Sequence, residues 1–297
     1  MEMAQVYGEP GVPLTVEVDI PQLLGLLDQH RVRMLDTFRS LSDDEWRRET
    51  RCTGWDARDL AGHLTGATRF FSTTLDRARH GEATRLLEGF DPRESPAELA
   101  RQLGDRPAAE VLDELEAADA KLRRVLDDYV HDPRGLGAWT SMAEGPPGNY
   151  AASLSLQHLF FDSWLHERDL LAGSGHVAPG DPHEAAAVAT YLLGLAALAS
   201  LLFLDPFPSE GETIALELDD ADLILCALIG LPTVVRTISL ADSDTRTPPA
   251  TLVCASATHL AEAMSGRDDL DAIVDRSSRI HAVLRGALPF LSDPTPA

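Results

Sequence analysis

Three residues in the middle of the chain have the types and the spacing of a metal-binding face. His158, Asp162 and His166 follow one another at intervals of four residues in a segment with helical periodicity. Residues four apart lie on one face of a helix, on adjacent turns, so Asp162 and His166 can reach the same cation. One oxygen and one nitrogen donor suit Zn²⁺, Fe²⁺, Ni²⁺ or Mn²⁺ better than Ca²⁺ or Mg²⁺. An acid–histidine pair at this spacing is also typical of a plain helix salt bridge, and both interpretations stay open here.

A third ligand has to come from another helix, and His63 is the leading candidate. It lies between Leu60 and Leu64 on the apolar stripe of a predicted helix. An imidazole inside a bundle needs a partner, because an unsatisfied buried polar group costs free energy. Three protein ligands leave at least one coordination position open, which is typical of a catalytic site. His158 is a fourth ligand, a residue that supports a ligand, or an ordinary core histidine.

The segments that carry these residues are predicted to be helical. Helical periodicity marks Pro21 to Leu41, Asp56 to Arg79, Glu110 to Tyr129 and Tyr150 to Ala172. Helix start signals at Ser42–Glu45 and Ser95–Pro96 add two shorter segments. Four principal helices with inward-facing apolar stripes predict a helix bundle over residues 1–175.

Residues 176–297 show a different pattern, after a turn-rich stretch from Gly173 to Pro182. Uncharged Ala185–Leu204 is about long enough to span a bilayer, but it lacks flanking Lys or Arg, so a buried helix is preferred. Four short β-rich runs then precede two helical stretches, which predicts a smaller α+β domain. The runs are Thr213–Leu218, Leu223–Leu228, Thr233–Leu240 and Thr251–Cys254, and the helical stretches are Thr258–Met264 and Leu270–Leu288.

Two segments around the candidate ligands also carry a family resemblance. They are CTGWDARDLAGHL (Cys52–Leu64) and DSWLHERDL (Asp162–Leu170). The first resembles the Cys-x-Gly-Trp-x-x-x-Asp-Leu-x-x-His-Leu segment of the mycothiol-dependent maleylpyruvate isomerase family, which belongs to the wider DinB-like metalloenzyme superfamily. The second resembles that family's acid-x-x-x-His-x-x-Asp segment. The resemblance implies an N-terminal DinB-like four-helix bundle in which His63, Asp162 and His166 bind a divalent metal.

Zinc is the metal that this resemblance favours, with Ni²⁺, Fe²⁺ or Mn²⁺ as alternatives. Many family members have Glu at the acid position, and Asp162 is one methylene shorter. The segment LAEAMSGRDDLDA (Leu260–Ala272) is similar to a Gly-Arg segment in the family's C-terminal domain. The resemblance therefore implies a sterol-carrier-like α+β domain after the bundle, closing over the site.

The resemblance also implies the chemistry, with the low-molecular-weight thiol mycothiol as co-substrate. A thiol that binds a metal ion loses its proton and becomes a nucleophile at neutral pH. An isomerase would release the thiol unchanged, whereas an S-transferase would leave it on a small electrophilic substrate. The sequence does not identify that electrophile.

Several further residues in these motifs are candidates for supporting roles. Asp59 and Asp169 are spaced to accept hydrogen bonds from the two imidazoles and orient them. Arg267 is the candidate catalytic residue of the second domain, as the cation for a substrate carboxylate. Cys52 is expected to be structural rather than nucleophilic, and Trp55 is expected to be a packing anchor.

Composition narrows the partners of the protein. The 297 residues include 25 Lys and Arg against 48 Asp and Glu, a formal charge of −23, which disfavours nucleic acid and anionic lipid surfaces. Three cysteines without a Cys-x-x-Cys pair and no evident signal peptide predict a cytoplasmic protein. The expected partners are a small electrophile and a thiol, with no nucleic acid or membrane, for a monomer or homodimer.

Two other functional classes stay open on the sequence. In the first, the protein is a non-catalytic binder of a hydrophobic small molecule, and its metal is structural or absent. In the second, it is a metal-assisted hydrolase that uses bound water in place of a thiol.

Overall fold

The computed structural model of the protein describes residues 2–6, 9–90, 95–104, 106–146, 148–174, 178, 180–203, 211–229, 233–240 and 252–285. The chain forms two compact units. Leu24–Pro179 is the helical unit, and Met1–Leu23 with Gly180–Ala297 is the sheet unit. A helix-rich N-terminal region followed by a small α+β domain is therefore confirmed. The predicted division after residue 175 differs from these units at the N terminus, since the first 23 residues group with the sheet unit.

Four long helices make up most of the helical unit, and each lies within two residues of its predicted bounds. They are α1 (Ile20–Ser40), α2 (Ala57–Arg79), α4 (Ala108–Val130) and α6 (Ala152–Ser174). The shorter helices are α3 (Ser95–Gly104) and α5 (Leu136–Trp139). Asp56 and Asp59 form a capping box that starts α2. This cap fixes the first turns of the helix that carries His63.

A buried arginine connects all four long helices. Arg31 of α1 is 2% exposed. Its guanidinium donates to Asp119 Oδ1 of α4 at 2.7 Å, to Ser163 Oγ of α6 at 3.0 Å and to Thr68 Oγ1 of α2 at 3.1 Å. Burial opposes ionisation of Asp119, but the guanidinium groups of Arg31 and Arg123 outweigh it and lower the pKa of this carboxyl group. The centre of the bundle therefore contains a buried ion pair in addition to its apolar core.

A β-hairpin precedes α6. Strands β3 (Met142–Gly145) and β4 (Gly148–Ala151) pair antiparallel. The Glu144 carboxylate is buried and accepts the backbone N–H groups of Leu86 and Leu87, both at 2.8 Å. The hairpin therefore fastens the loop after α2 to the segment that leads into α6.

The sheet unit contains one six-stranded sheet in the order β1-β2-β7-β6-β5-β8. The four predicted strands are confirmed as β5 (Glu212–Leu218), β6 (Leu223–Ile229), β7 (Thr233–Ser239) and β8 (Leu252–Ala255). The prediction missed β1 (Glu2–Val6) and β2 (Glu9–Val16). Strand β2 pairs parallel to β7, with Leu14 opposite Thr233, and a contact so distant in sequence leaves no local signal.

Helices pack on this sheet, and α7 (Pro182–Phe203) is the longest of them. Its Pro182–Ser200 window is long and apolar enough to cross a membrane, and 83% of that window is buried inside the protein. Such burial is typical of a core helix. At Gly194, a Cβ atom would lie 3.3 Å from Val16 Cγ2, so α7 approaches β2 closely.

The predicted helix over Leu270–Leu288 is wrong within the described residues. The chain forms a 3-10 turn at Leu270–Ala272 and then a separate helix, α9 (Arg279–Arg285), after α8 (Ala257–Met264). Between them, the Asp275 carboxylate accepts the backbone N–H and the hydroxyl of Ser277, both at 2.7 Å. Such local side-chain hydrogen bonds compete with helical ones and stop the helix. Residues 286–288 of the predicted helix lie outside the described residues.

Candidate metal centre

The three predicted ligands lie together in the helical unit. His63 is in the second turn of α2, and Asp162 and His166 are on successive turns of α6. Asp162 Oδ1 lies 3.3 Å from His63 Nε2 and 3.5 Å from His166 Nε2. All three donor atoms lie within 4.8 Å of one another. Two helices thus bring two imidazole nitrogens and one carboxylate to a single point.

The spacing and chemistry of these donors fit a small divalent cation. Ligand atoms about 2.0–2.1 Å from a tetrahedral zinc ion lie about 3.3 Å from one another. The distances from Asp162 Oδ1 to the two imidazole nitrogens agree with that value. Asp162 Oδ2 and His63 Nδ1 are buried and have no hydrogen-bond partner among the described residues. Buried polar atoms are normally paired, so this second carboxylate oxygen is suited to a positive partner.

The electrostatics of the site also favour a cation. Burial alone would raise the pKa of Asp162, but the charge and hydrogen bond of His63, followed by the charge of His166, lower it below its ordinary value. Burial would lower the pKa of His166, but Cys52 and Asp169 raise it well above its ordinary value. Cys52 and Asp169 act at His166 Nδ1, so Nε2 remains directed at Asp162, whose carboxylate can attract a cation.

Asp169 holds His166 from the side away from Asp162. This carboxylate is fully buried, and its Oδ2 lies 3.1 Å from His166 Nδ1. When one ring N–H of a histidine donates a hydrogen bond to a carboxylate, the other ring nitrogen carries a lone pair that can bind a metal. The position of Asp169 agrees with the predicted orienting role. The carboxylate of Asp59 instead accepts the Asp56 backbone N–H at the start of α2.

A tight contact joins the chain before α2 to the end of α6. Gly173 lies so close to this segment that a Cβ atom there would be 2.5 Å from Glu49 O and 2.8 Å from Thr50 Cα. We expect Gly173→Ala to destabilise the helical unit by about 1–3 kcal/mol, because the backbone has to move. Gly25→Ala is the matched control, since a Cβ atom at Gly25 of α1 would have nothing within 4 Å.

We expect this control to stabilise the unit by up to about 1 kcal/mol through helix propensity. Denaturant unfolding followed by tryptophan fluorescence measures both effects. All four tryptophans of the chain, Trp46, Trp55, Trp139 and Trp164, lie in the helical unit and report on it alone. A Gly173→Ala protein as stable as Gly25→Ala would contradict the close contact.

Two aromatic neighbours complete the surroundings of the donors. The Trp55 ring centroid lies 5.3 Å from that of His63 and 6.3 Å from that of His166, so this tryptophan flanks both imidazoles as well as packing on the core. The sequence predicted only a packing role for Trp55; its position in the Cys52–Leu64 motif, which also carries His63, was the signal that could have indicated its place beside the imidazoles. His158 contacts Phe71 and Phe161, with ring centroids 5.4 Å and 6.0 Å away.

His158 stays neutral near pH 7. Burial lowers its pKa to about 4; the Asp162 carboxylate opposes the shift, and the electrostatic interaction with His63 reinforces it. His158 is not one of the three converging donors. Its place beside aromatic rings agrees with the core-histidine interpretation among the three left open by the sequence.

Arg267 lies in the sheet unit, directly after α8. Its backbone N–H donates to Glu262 O at 2.8 Å, and the residue is half-buried. Its role toward a substrate carboxylate stays a prediction.

Comparison with known proteins identifies the helical unit. Residues 27–171 match the family described as the mycothiol maleylpyruvate isomerase N-terminal domain. The match covers most of the helical unit. The matched residues include all three donors and Asp169. The comparison with curated proteins finds no match.

Two solved structures resemble the chain beyond this isomerase domain. One is the crystal structure of a mycothiol-dependent maleylpyruvate isomerase, at 18% identity and a TM-score of 0.56, covering 85% of this chain and 91% of that one. The other is a histidine-to-alanine mutant of a mycothiol-dependent maleylpyruvate isomerase, at 17% identity and a TM-score of 0.55, covering 84% and 90%. At these identities the likeness establishes the fold, which extends over both units.

Proposed function

We propose that this protein is a metal-dependent enzyme that uses mycothiol to isomerise a small electrophilic substrate or to transfer sulfur to it. The observation that carries the proposal is the convergence of His63 Nε2, Asp162 Oδ1 and His166 Nε2 inside a domain of the isomerase family. Isomerisation of a maleylpyruvate-like compound is the first candidate, because the structural neighbours are named for that activity.

His63, Asp162 and His166 would hold the divalent cation, with zinc preferred. When bound, such an ion supplies Lewis acidity that lowers the pKa of a thiol ligand. Asp162 brings the negative charge of the donor set, and Asp169 fixes the imidazole of His166. The chain would therefore activate the thiol of a co-substrate, and its own Cys52 need not act as the nucleophile.

The remaining residues of the site would shape the space around the sulfur. Trp55 covers one side of both imidazoles, and His158 presents a neutral ring near Asp162. Arg267, which lies in the sheet unit, remains our candidate for binding a substrate carboxylate. The reducing cytoplasm suits a free thiol co-substrate, and we propose that location.

The test is turnover of maleylpyruvate by Zn²⁺-loaded protein, with and without mycothiol. We expect product only when the ion and the thiol are both present, and loss of turnover after chelation. Titration of free thiol separates the two reactions, because isomerisation leaves the thiol concentration unchanged and transfer depletes it one-for-one with product. Turnover without thiol would favour the hydrolase, and a protein that takes up no metal but binds a long-chain ligand would favour the non-catalytic binder.

A further inference from the structure

The loop from Glu49 to Asp56, here called the site loop, is held in one conformation by its own backbone. Its ends pair as a β-bridge between Glu49 and Asp56. The Thr50 N–H donates to Trp55 O at 2.8 Å, and the Cys52 N–H donates to Thr50 Oγ1 at 3.2 Å. The loop is therefore a small rigid unit, and the position of Cys52 within it is fixed.

The site loop is also docked on α6 beside the metal centre. The Arg51 N–H donates to Asp169 O at 3.0 Å, and Arg51 Nε donates to Asp169 Oδ1 at 2.7 Å. The loop backbone meets α6 again at Gly173, where there is no room for a Cβ atom. Backbone and side-chain contacts together set the distance between the loop and the helix turn that carries His166 and Asp169.

This docking places the thiol of Cys52 against the partner of His166. Cys52 is 2% exposed, and its Sγ lies 3.2 Å from Asp169 Oδ2 and 3.7 Å from His166 Nδ1. Cys52, His166 and Asp169 form a second cluster of metal-type donors. Donation of the thiol proton and the Nδ1 proton to the same carboxylate explains these distances without a second ion.

The Asp169 carboxylate thus receives three donors from two directions. Arg51 holds Oδ1, and Cys52 shares Oδ2 with His166. Arg51 restrains the carboxylate at Oδ1, and the thiol adds a second restraint at Oδ2, the oxygen that faces His166. Two restraints fix the plane of the carboxylate, and with it the direction of the imidazole, more tightly than one.

We propose that Cys52 is a positioning residue for His166, acting through Asp169 so that Nε2 stays directed at Asp162 Oδ1. This inference rests on the proposed function, since it assigns Cys52 a task in the same metal centre. It gives the buried thiol a role as a hydrogen-bond donor and not as a nucleophile.

The test compares Cys52→Ala, which removes the donor, with Cys52→Ser, which keeps one. Competition with a chromophoric chelator measures the affinity for Zn²⁺, and the visible absorption of the Co²⁺-loaded protein reports the ligand field. We expect Cys52→Ala to weaken Zn²⁺ binding by about 10–100-fold, the range found for residues that orient a metal ligand, and to change the Co²⁺ spectrum. We expect Cys52→Ser to restore the affinity to within a few-fold of the wild type, by the same reasoning.

Cys226→Ala is the matched control, because Cys226 is also a buried cysteine outside any disulfide but belongs to the sheet unit. It should bind Zn²⁺ like the wild type. If the wild type binds Zn²⁺ and a folded Cys52→Ala protein binds it with equal affinity, the role of Cys52 is overturned, and the proposed function is not. Equal weakening in the alanine and serine variants would also overturn that role, since packing would then explain the loss. A wild type without affinity for Zn²⁺ or Co²⁺ would overturn the proposed function together with this inference.

Discussion

Replacing His63 by alanine is expected to remove the metal from the protein and leave the helical unit folded. The substitution deletes one of three ligands, and two remaining donors on a single helix hold a cation far more weakly. The loss of metal affinity should be larger than that caused by replacing a residue that only supports a ligand, which is typically about 10–100-fold. Within the fold the substitution removes one contact, from His63 Nε2 to Asp162 Oδ1, and His166 Nε2 remains 3.5 Å from that oxygen. His166→Ala should have the same effect on metal content.

Metal analysis by mass spectrometry on tag-free protein measures this directly. The wild type should carry about one equivalent and both variants close to none. His80→Ala is the matched control, because His80 caps the other end of α2 and is exposed. At the acid position, Asp162→Asn should lose the metal, whereas Asp162→Glu keeps the charge and should retain part of the affinity. A folded His63→Ala protein with full metal content would show that His63, Asp162 and His166 are not the site.

The convergence of His63, Asp162 and His166, here called the triad, could be predicted from sequence because helix geometry and short motifs encode it. Asp162 and His166 are one turn apart, and His63 lies on the inward stripe of a helix whose bounds were predicted to within one residue. The resemblance of the two motifs then joined residues that lie 99 positions apart. Both kinds of signal are local, and α2 and α6 need only pack together for the triad to form.

The contacts that hold Asp169 could not be predicted in the same way. The contacts from Arg51 and Cys52 to Asp169 join residues 118 and 117 positions apart, through a loop with no periodicity. The same limit applies to β2, whose partner strand begins at Thr233. At Asp275 the sequence predicted a helix that the structure does not continue. Apolar spacing favoured the helix, and local hydrogen bonds accepted by the Asp275 carboxylate end it. Sequence patterns report what each segment prefers, and these features depend on which segments meet.

Removing Asp119 is expected to be the most destabilising single change in the helical unit outside the site. Arg31 is 2% exposed, and Asp119 is its charged partner at 2.7 Å, while Thr68 and Ser163 offer only hydroxyl groups. Asp119→Ala would leave a buried guanidinium without a counter-charge, which typically costs about 3–5 kcal/mol. Arg31→Ala should cost slightly less, because Arg123 still pairs with Asp119 at 2.8 Å. Denaturant unfolding followed by tryptophan fluorescence measures the loss in the helical unit.

The control and the double variant distinguish charge from packing. Arg39 also joins α1 to α4, through Glu116 at 2.8 Å, but 47% of its side chain is exposed, so Arg39→Ala should cost no more than about 1 kcal/mol. The double variant Arg31→Met/Asp119→Leu replaces both charges by apolar groups, and removing both partners of a buried pair costs far less than removing one. We therefore expect it to regain most of the stability that Asp119→Ala loses. If the double variant were instead less stable than Asp119→Ala, hydrogen bonds from Arg31 to Thr68 and Ser163 would contribute more than the ion pair does, and the bundle would depend on its polar network and not on charge neutrality.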